Sequence, residues 1–244
     1  MLGAGLALGL LAGCTTSRPA VLPTCTTGDV ALTLEQAANA ATIAAVGKRL
    51  GMPNHAVTVA LATALQESKL RNLPYGDRDS LGLFQQRPSQ GWGTAAEVQD
   101  PVYAARAFFS HLRRIPGWRT LPVTIAAQRV QHSAAPDAYA QWEDASRQLA
   151  RALTGELPAD FACQFVKAPR PAGGVQVQER ASAELGPGGL ARTRTPSQTW
   201  TTTSWLVAQA ATYGISTISV SGYTWSAKRG TWRRDPAATR LVYS

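Results

Sequence analysis

The sequence predicts a mainly α-helical domain that is followed by a small α+β module. The first observation is a capping box at Thr33–Gln36, which opens a long Ala-rich stretch and is typical of a helix start. The second is Asp100-Pro101, which has the form of another helix start. The third is a change after Gly214, where apolar residues begin to alternate as they do in strands.

The size and composition favour a folded protein with a strong basic bias. The chain has 244 residues, of which 45% are hydrophobic, so a packed core and one or two domains are expected and a wholly disordered chain is excluded. The net charge is +9, and residues 166–244 hold ten basic against three acidic side chains. This excess predicts an anionic partner such as a lipid headgroup, a cell-wall polymer or nucleic acid.

The N-terminus predicts export. Residues 2–13 form an apolar run that is too short to span a bilayer. The run ends in Leu11-Ala12-Gly13-Cys14, which resembles a bacterial lipobox and implies a signal peptide over 1–13 and a lipid on Cys14. Residues 14–28 are then a tether, and the protein is anchored to the outer face of the cell membrane. The alternative is an ordinary buried N-terminal segment.

The remaining cysteines favour a disulfide and argue against a metal site. With Cys14 lipidated, Cys25 and Cys163 are left, and an even number in an exported chain favours a bridge over two free buried thiols. None of the cysteines has zinc-ligand spacing, and the three histidines are scattered. We therefore predict no metal and no cofactor.

Residues 29–165 form the predicted helical domain. Its first helix runs from Thr33 to Gly47, and a second runs from Asn54 to about Lys69 after a break at Gly51 and Pro53. Residues 72–94, rich in Gly and Pro, are predicted loops with a short hairpin. Three further helices are expected within 95–155, with starts at Asp100-Pro101, Thr124 and Pro136-Asp137.

Residues 166–198 are a predicted Gly/Pro-rich linker, and residues 199–244 are the basic module. The module has a predicted helix over 199–213, strands near 215–220, 223–225 and 241–243, and a turn at 228–230. Its Trp and Arg residues can bind sugars or nucleic acid, or can form a small core with a solvated basic face. We leave open whether the module binds an anionic cell-wall polymer by itself or packs on the helical domain and completes its cleft; no nucleic-acid partner is predicted.

Two segments carry a resemblance to a known superfamily. Glu67-Ser68 stands at the end of the second predicted helix, and Ser80-Leu81-Gly82-Leu83-Phe84-Gln85 follows after a loop. This combination resembles the lysozyme-like superfamily of bacterial lytic transglycosylases and goose-type lysozymes, over about residues 30–155. The resemblance implies a lysozyme-like fold for residues 29–165 and cleavage of the glycan strands of peptidoglycan, with Glu67 as general acid and then base.

The chemistry agrees with these residue types. Breaking a glycosidic bond needs a protonated acid beside the leaving oxygen, and a carboxyl group walled by apolar residues keeps its proton nearer to neutral pH. Glu67 follows an Ala/Leu-rich helical run. The predicted substrate-binding residues are the polar and aromatic side chains around it: Ser68, Tyr75, Asp79, Ser80, Gln85, Gln86, Trp92, Gln131 and Tyr139.

Two assignments within this set stay open. Transglycosylases carry a helix-borne Tyr that faces the acid, often before an Asn; Ala138-Tyr139 resembles that pattern, but Ala140 replaces the Asn. Asp77 and Asp79 are candidates for a second carboxylate, with turn residues as the alternative. The resemblance implies that one Glu suffices, because the N-acetyl group of the substrate assists and a 1,6-anhydro sugar forms.

Nucleotide binding and serine hydrolase chemistry are not supported, since the chain lacks a Walker loop, a Gly-x-Ser-x-Gly segment and a Gly-x-Gly-x-x-Gly segment. The alternative to catalysis is a binding protein: an inactive lysozyme-like lipoprotein that grips cell-wall glycan or a partner protein. A weaker alternative is an envelope scaffold whose basic module binds anionic polymer.

Overall fold

A computed structural model describes residues 22–166, 174–190 and 195–244 of the chain, and within them the fold is mixed α+β. Its eight helices are α1 Leu34–Arg49, α2 Asn54–Ser68, α3 Ala95–Gln99, α4 Pro101–Arg114, α5 Val123–Gln131, α6 Glu143–Leu153, α7 Gly174–Leu185 and α8 Pro196–Tyr213. Short 3-10 turns occupy Pro88–Gln90 and Ala140–Trp142. In this part of the chain, no helix is long and apolar enough to cross a membrane.

The strands form two small antiparallel sheets. The first has the order β2-β1-β3 and contains β1 Thr24–Thr27, β2 Val30–Leu32 and β3 Ala162–Gln164. The second has the order β6-β5-β4-β7 and contains β4 Thr217–Val220, β5 Tyr223–Ser226, β6 Thr231–Arg234 and β7 Val242–Tyr243.

Helices α1 and α2 form the centre of the core. The capping box at the start of α1 is confirmed: the Thr33 hydroxyl accepts from the Gln36 amide, and the Gln36 side chain accepts from the Thr33 amide. Both helices are buried around most of their circumference, which their Ala-rich sequences permit. At Gly47, an added Cβ would lie 2.8 Å from the ring of Phe109 on α4, so the absence of a side chain there sets how closely α4 approaches.

Helix α8 packs against α1 and belongs to the same core. Its residues from Trp200 to Ala210 are all buried, and one hydrophobic cluster extends from Cys25 to Ala227. The predicted boundary between the helical domain and the basic module stays a prediction, but the two share this core. The basic module thus packs on the helical part of the chain, as one of the two alternatives supposes, but none of its residues lines the cleft beside Glu67.

Three predictions about individual elements were wrong. The predicted linker contains α7, which buries Val177 and Ala181. The predicted tether contains β1, which pairs with β3 across 138 residues of sequence. No helix starts at Pro136; turns lead instead into the 3-10 turn, and α6 begins at Glu143. In the first two cases, contacts distant in sequence outweigh a local sequence rich in Gly, Pro, Ser or Thr, and β1 also pairs with the neighbouring strand β2.

The second sheet docks beside the first. Strands β4, β5 and β7 agree with the predicted positions, whereas β6 was missed because its residues are mostly exposed and do not alternate. Two tryptophan ring N–H groups reach across to β3 and to the residue before it: Trp225 donates to the Cys163 carbonyl at 3.1 Å, and Trp232 to the Phe161 carbonyl at 2.8 Å. These bonds connect the basic module to β3.

A disulfide joins Cys25 on β1 to Cys163 on β3, and both residues are fully buried. They are direct partners in the register of the two strands, so the bridge closes the first sheet. The predicted pairing is thus present in the structure. Cys14 and the predicted signal peptide lie outside the described residues.

Removal of this disulfide should destabilise the protein. In the chain-entropy model, a loop of this length contributes roughly 4–5 kcal/mol at most to the free energy of unfolding. We expect the Cys25→Ala/Cys163→Ala protein to unfold at a clearly lower urea concentration than oxidised wild type. Reduced wild type is the control and should unfold close to the variant. Equal midpoints for the oxidised protein and the variant would contradict a stabilising bridge.

A buried carboxyl group holds α7 to α8. Glu184 is fully buried, accepts a hydrogen bond from the Trp205 ring N–H at 2.6 Å and forms an ion pair with Arg180. Burial raises the pKa of Glu184 above its ordinary value of 4.5, against the opposing effects of Arg180 and Trp205. Charging this group in the folded state therefore costs more than charging it in the unfolded chain.

This cost makes stability depend on pH with a defined sign. Because the folded-state pKa of Glu184 is raised, Glu184 contributes fully to the free energy of unfolding below about pH 4.5. This contribution is lost as the pH rises through the higher folded-state pKa. We would measure the free energy of unfolding of wild type and Glu184→Gln across this pH range. The wild-type value should fall relative to that of the variant as the pH rises. Glu179→Gln, an exposed change on the same helix, should track wild type. A pH-independent difference between Glu184→Gln and wild type would refute the assignment.

Candidate active site

A cleft of about 730 Å³ lies beside the C-terminal end of α2. Three segments line it: the loop from Asp77 to Trp92, the end of α4, and the last turn of α5 with the residues after it. Glu67, the second-last residue of α2, is half-buried and also lines the cleft. Five of the predicted binding residues share this cleft with Glu67: Ser80, Gln85, Gln86, Trp92 and Gln131.

Tyr139 contacts Glu67 directly. The Tyr139 hydroxyl donates to Glu67 Oε1 at 2.7 Å, and the tyrosine is fully buried. Burial, and next the nearby negative charge of Glu67, raises the pKa of Tyr139 well above its ordinary value of 10. Tyr139 therefore stays protonated and remains a hydrogen-bond donor. One carboxylate oxygen of Glu67 is held in place by this bond.

Contacts on both sides of Glu67 fix the end of α2. The Trp142 ring N–H donates to Gln66 Oε1 at 2.8 Å, and the Lys69 ammonium lies 4.2 Å from the centre of the Trp142 ring. Lys69 ends the helix in the left-handed conformation, and its carbonyl accepts from the Gln36 side chain of α1. The segment that carries Tyr139 is thus attached to the turn that carries Glu67.

Ser68 connects α2 to the cleft loop instead of lining the cleft. It is buried, and its hydroxyl lies 2.8 Å from the carbonyl oxygen of Leu83 and 3.1 Å from that of Ala64. Its hydroxyl is therefore engaged by backbone carbonyls. This contact gives a physical reason for Ser at the helix end when a Gly-Leu-Phe segment follows.

The Ser80–Gln85 segment forms a tight turn around buried apolar residues. Leu81 and Gln86 exchange two backbone hydrogen bonds of 3.0 Å, and Leu83 and Phe84 are fully buried inside the turn. Gly82 has a φ of +77°, and a Cβ there would lie 2.3 Å from the Val98 carbonyl oxygen, so glycine is required. This packing positions Gln85 and Gln86 at the cleft.

Asp79 braces the loop. Its carboxylate accepts from Arg87 Nε at 2.8 Å, the Ser89 amide at 2.7 Å and the Ser89 hydroxyl at 3.0 Å. The Ser89 amide above all, and then Arg87, lowers the pKa of Asp79 far below its ordinary value. Asp79 is therefore unsuited to act as an acid, and it does not line the cleft.

The other carboxyl candidate and one aromatic candidate are open to solvent. Asp77 lines the cleft, but its side chain is 90% exposed and its nearest cation is Arg78, at 3.9 Å. Tyr75 is 67% exposed and lies outside the lining residues. Glu67 is thus the only half-buried carboxyl group among the residues that line the cleft.

The remaining predicted residues present fixed polar or aromatic groups. The side-chain amide N–H of Gln86 donates to the Ala104 carbonyl and that of Gln131 to the Phe84 carbonyl, at 3.1 and 2.8 Å. The Trp92 ring contacts the His111 ring, with 4.0 Å between ring centres and an angle of 30° between the ring planes. These bonds and the ring contact restrict the orientation of each side chain.

Sequence reasoning missed the basic residues of the cleft: Arg78, Arg87, His111, Arg114, Arg129 and His132. Arg114 and Arg129 stand in the last turns of their helices, where a cation is common because it complements the helix dipole. No local signal separates a cleft arginine from an ordinary capping one. The arrangement in space was needed to find them.

No protein-family model matches the chain, and no curated protein matches it significantly.

The loop brace makes a testable prediction. Asp79→Asn removes the negative charge that accepts the hydrogen bond from the Ser89 amide. The loop from 79 to 89 should therefore open more often. We expect faster hydrogen exchange of the Ser89 amide, by about tenfold if one charge-assisted hydrogen bond is lost. Asp77→Asn, the same change on an exposed neighbour without such bonds, is the control. Unchanged exchange in Asp79→Asn would show that the loop holds without this carboxylate.

Proposed function

We propose that the protein cleaves the glycan strands of peptidoglycan, as a lytic transglycosylase or a muramidase, within a lysozyme-like domain over residues 29–165. The observation that carries the proposal is the Tyr139–Glu67 hydrogen bond at the edge of a polar cleft. A carboxyl group held by one oxygen has a defined orientation, which an acid catalyst needs in order to reach a leaving oxygen.

In the proposed mechanism, Glu67 protonates the glycosidic oxygen while the carbonyl oxygen of the neighbouring N-acetyl group attacks the anomeric carbon. The bond to the leaving sugar breaks and a cyclic oxazolinium forms. Glu67 is then a carboxylate, and the Tyr139 hydroxyl stabilises its charge through the existing bond. Glu67 next takes a proton from the nucleophile that opens the ring. The nucleophile is the 6-hydroxyl of the same sugar in a transglycosylase and water in a muramidase.

The environment of the carboxyl groups favours a mechanism with one acidic residue. A retaining glycosidase with two carboxyl groups places them ~5–5.5 Å apart, with the second fixed beside the anomeric carbon. Asp79 has its oxygens engaged by Arg87 and Ser89, and Asp77 is exposed. Neither is a well-placed nucleophile, so assistance by the substrate is the simpler route.

The location in the envelope is a further part of the proposal. We place the protein outside the cell, with a lipid on Cys14 as its membrane anchor. The Cys25–Cys163 disulfide supports an oxidising compartment. Around the second sheet, exposed cations supply a surface for an anionic cell-wall polymer: Lys228, Arg229, Arg233, Arg234 and Arg240.

Substitution of Glu67 tests the catalytic role. Glu67→Gln keeps the shape but removes the transferable proton, so release of soluble fragments from purified peptidoglycan should fall by ~10²–10⁴. Tyr139→Phe removes one hydrogen bond to a charged group and should cost about 10- to 100-fold. Glu179→Gln, on an exposed face of α7, should leave release unchanged. Mass spectrometry of the fragments separates 1,6-anhydro from hydrolysed ends.

Two outcomes would contradict the assignment. Equal release by wild type and folded Glu67→Gln would exclude Glu67 as the acid. Binding of glycan by wild type without any release would instead favour an inactive protein that grips the cell wall.

A further inference from the structure

The charges in the cleft are unbalanced. Among its lining residues, four are arginines and two are carboxyl side chains. Arg87 is paired with Asp79, and Arg78 faces Asp77. Arg114 and Arg129 have no acidic partner among the described residues, and both are exposed.

These two arginines stand on the wall that α4 and α5 form. Arg114 is the last residue of α4 and has no side-chain hydrogen bond within the described ranges. Arg129 is two residues from the end of α5 and makes one long contact, 3.5 Å, to the Pro116 carbonyl. Most of the five N–H donors on each guanidinium are therefore free.

Helix capping alone does not account for this arrangement. Arg113 stands in the same last turn of α4, yet its guanidinium bonds the Leu50 carbonyl and Met52 sulfur and lines a different groove. A cation in the last turn can thus be satisfied by the protein itself. Arg114 and Arg129 line the same cleft as Glu67 and keep their donors available for a ligand.

We propose that Arg114 and Arg129 bind carboxylates of the peptide stems, so that the substrate is glycan with peptides attached and not bare glycan. This inference rests on the proposed function. In peptidoglycan, every second sugar carries a short peptide with free carboxylates beside the neutral sugar rings. A guanidinium matches a carboxylate with two parallel hydrogen bonds, and a cleft with an excess of positive charge attracts anions.

Binding measurements on protein that cannot consume its ligand test this inference. In the Glu67→Gln background, calorimetry would compare a tetrasaccharide that carries stem peptides with an uncharged N-acetylglucosamine tetramer. Arg114→Gln and Arg129→Gln should each weaken binding of the peptide-bearing glycan ~2- to 5-fold, and the double variant about tenfold, as expected for exposed charge pairs. The loss should shrink in ~0.5 M salt, and the neutral tetramer should bind all variants equally.

Arg106→Gln is the matched control. Arg106 is an exposed arginine on the same helix as Arg114, but it lines the other groove, so its loss should leave both affinities unchanged. Circular dichroism of each variant checks that the fold is intact.

Three outcomes would overturn the inference. An equal loss of affinity for both glycans would assign the arginines to the sugar chain, and unchanged affinities would leave them without a ligand role. Displacement of the peptide-bearing glycan by poly-glutamate at equal carboxylate concentration would show that the two arginines attract anions in general and do not recognise peptide stems. Turnover by wild type is read separately, so charge-dependent binding without cleavage would refute the proposed catalysis and leave the carboxylate site standing.

Discussion

Close packing around two small-residue helices is the constraint on which the other parts of this structure depend. Most of α1 and nearly all of α2 after its first turn are buried, and Ala residues flank their larger apolar side chains, as at Ile43 and Leu61. Neighbouring helices therefore approach closely, as at Gly47, and a larger residue would push them apart. This close packing also restricts motion at the end of α2. Glu67 is held on a helix whose preceding turns are locked by core contacts on several sides.

The elements that sequence patterns predicted best are those whose signals are local. The Thr33 capping box, the Asp100-Pro101 start of α4 and the strands β4 and β5 follow from neighbouring residues alone. Helix α7 and strand β1 could not be predicted in this way. Helix α7 depends on the distant α1, and β1 pairs with the distant β3 as well as with its neighbour β2. A sequence rich in Gly, Thr or Pro gives no hint of the distant partners.

The residues of the candidate site also divide into those that sequence patterns predicted and those whose role only the structure shows. Glu67, Ser80 and Gln85 were predicted together because a motif joins them, and the structure brings all three to one cleft, with the adjacent Gln86. Ser68 and Asp79 belong to the same motif region, yet their polar atoms are engaged by the protein: Ser68 joins α2 to the loop, and Asp79 braces it. Residue type and spacing indicate a site, but only the hydrogen-bond partners separate groups that are free for a ligand from groups that build the scaffold.

The Tyr139–Glu67 contact gives a reason for the several bonds between the end of α2 and the segment that carries Tyr139. A hydrogen bond of 2.7 Å between a buried phenol and a half-buried carboxyl group tolerates little relative motion of its two segments. The Trp142–Gln66 bond and the Lys69–Trp142 contact tie these segments together within a few residues of both partners. On the opposite wall, which α4 and α5 form, Arg114 and Arg129 have no acidic partner among the described residues. The Tyr139 side of the cleft therefore holds Glu67 in a fixed position. The α4–α5 side has positive charges available to an anionic ligand.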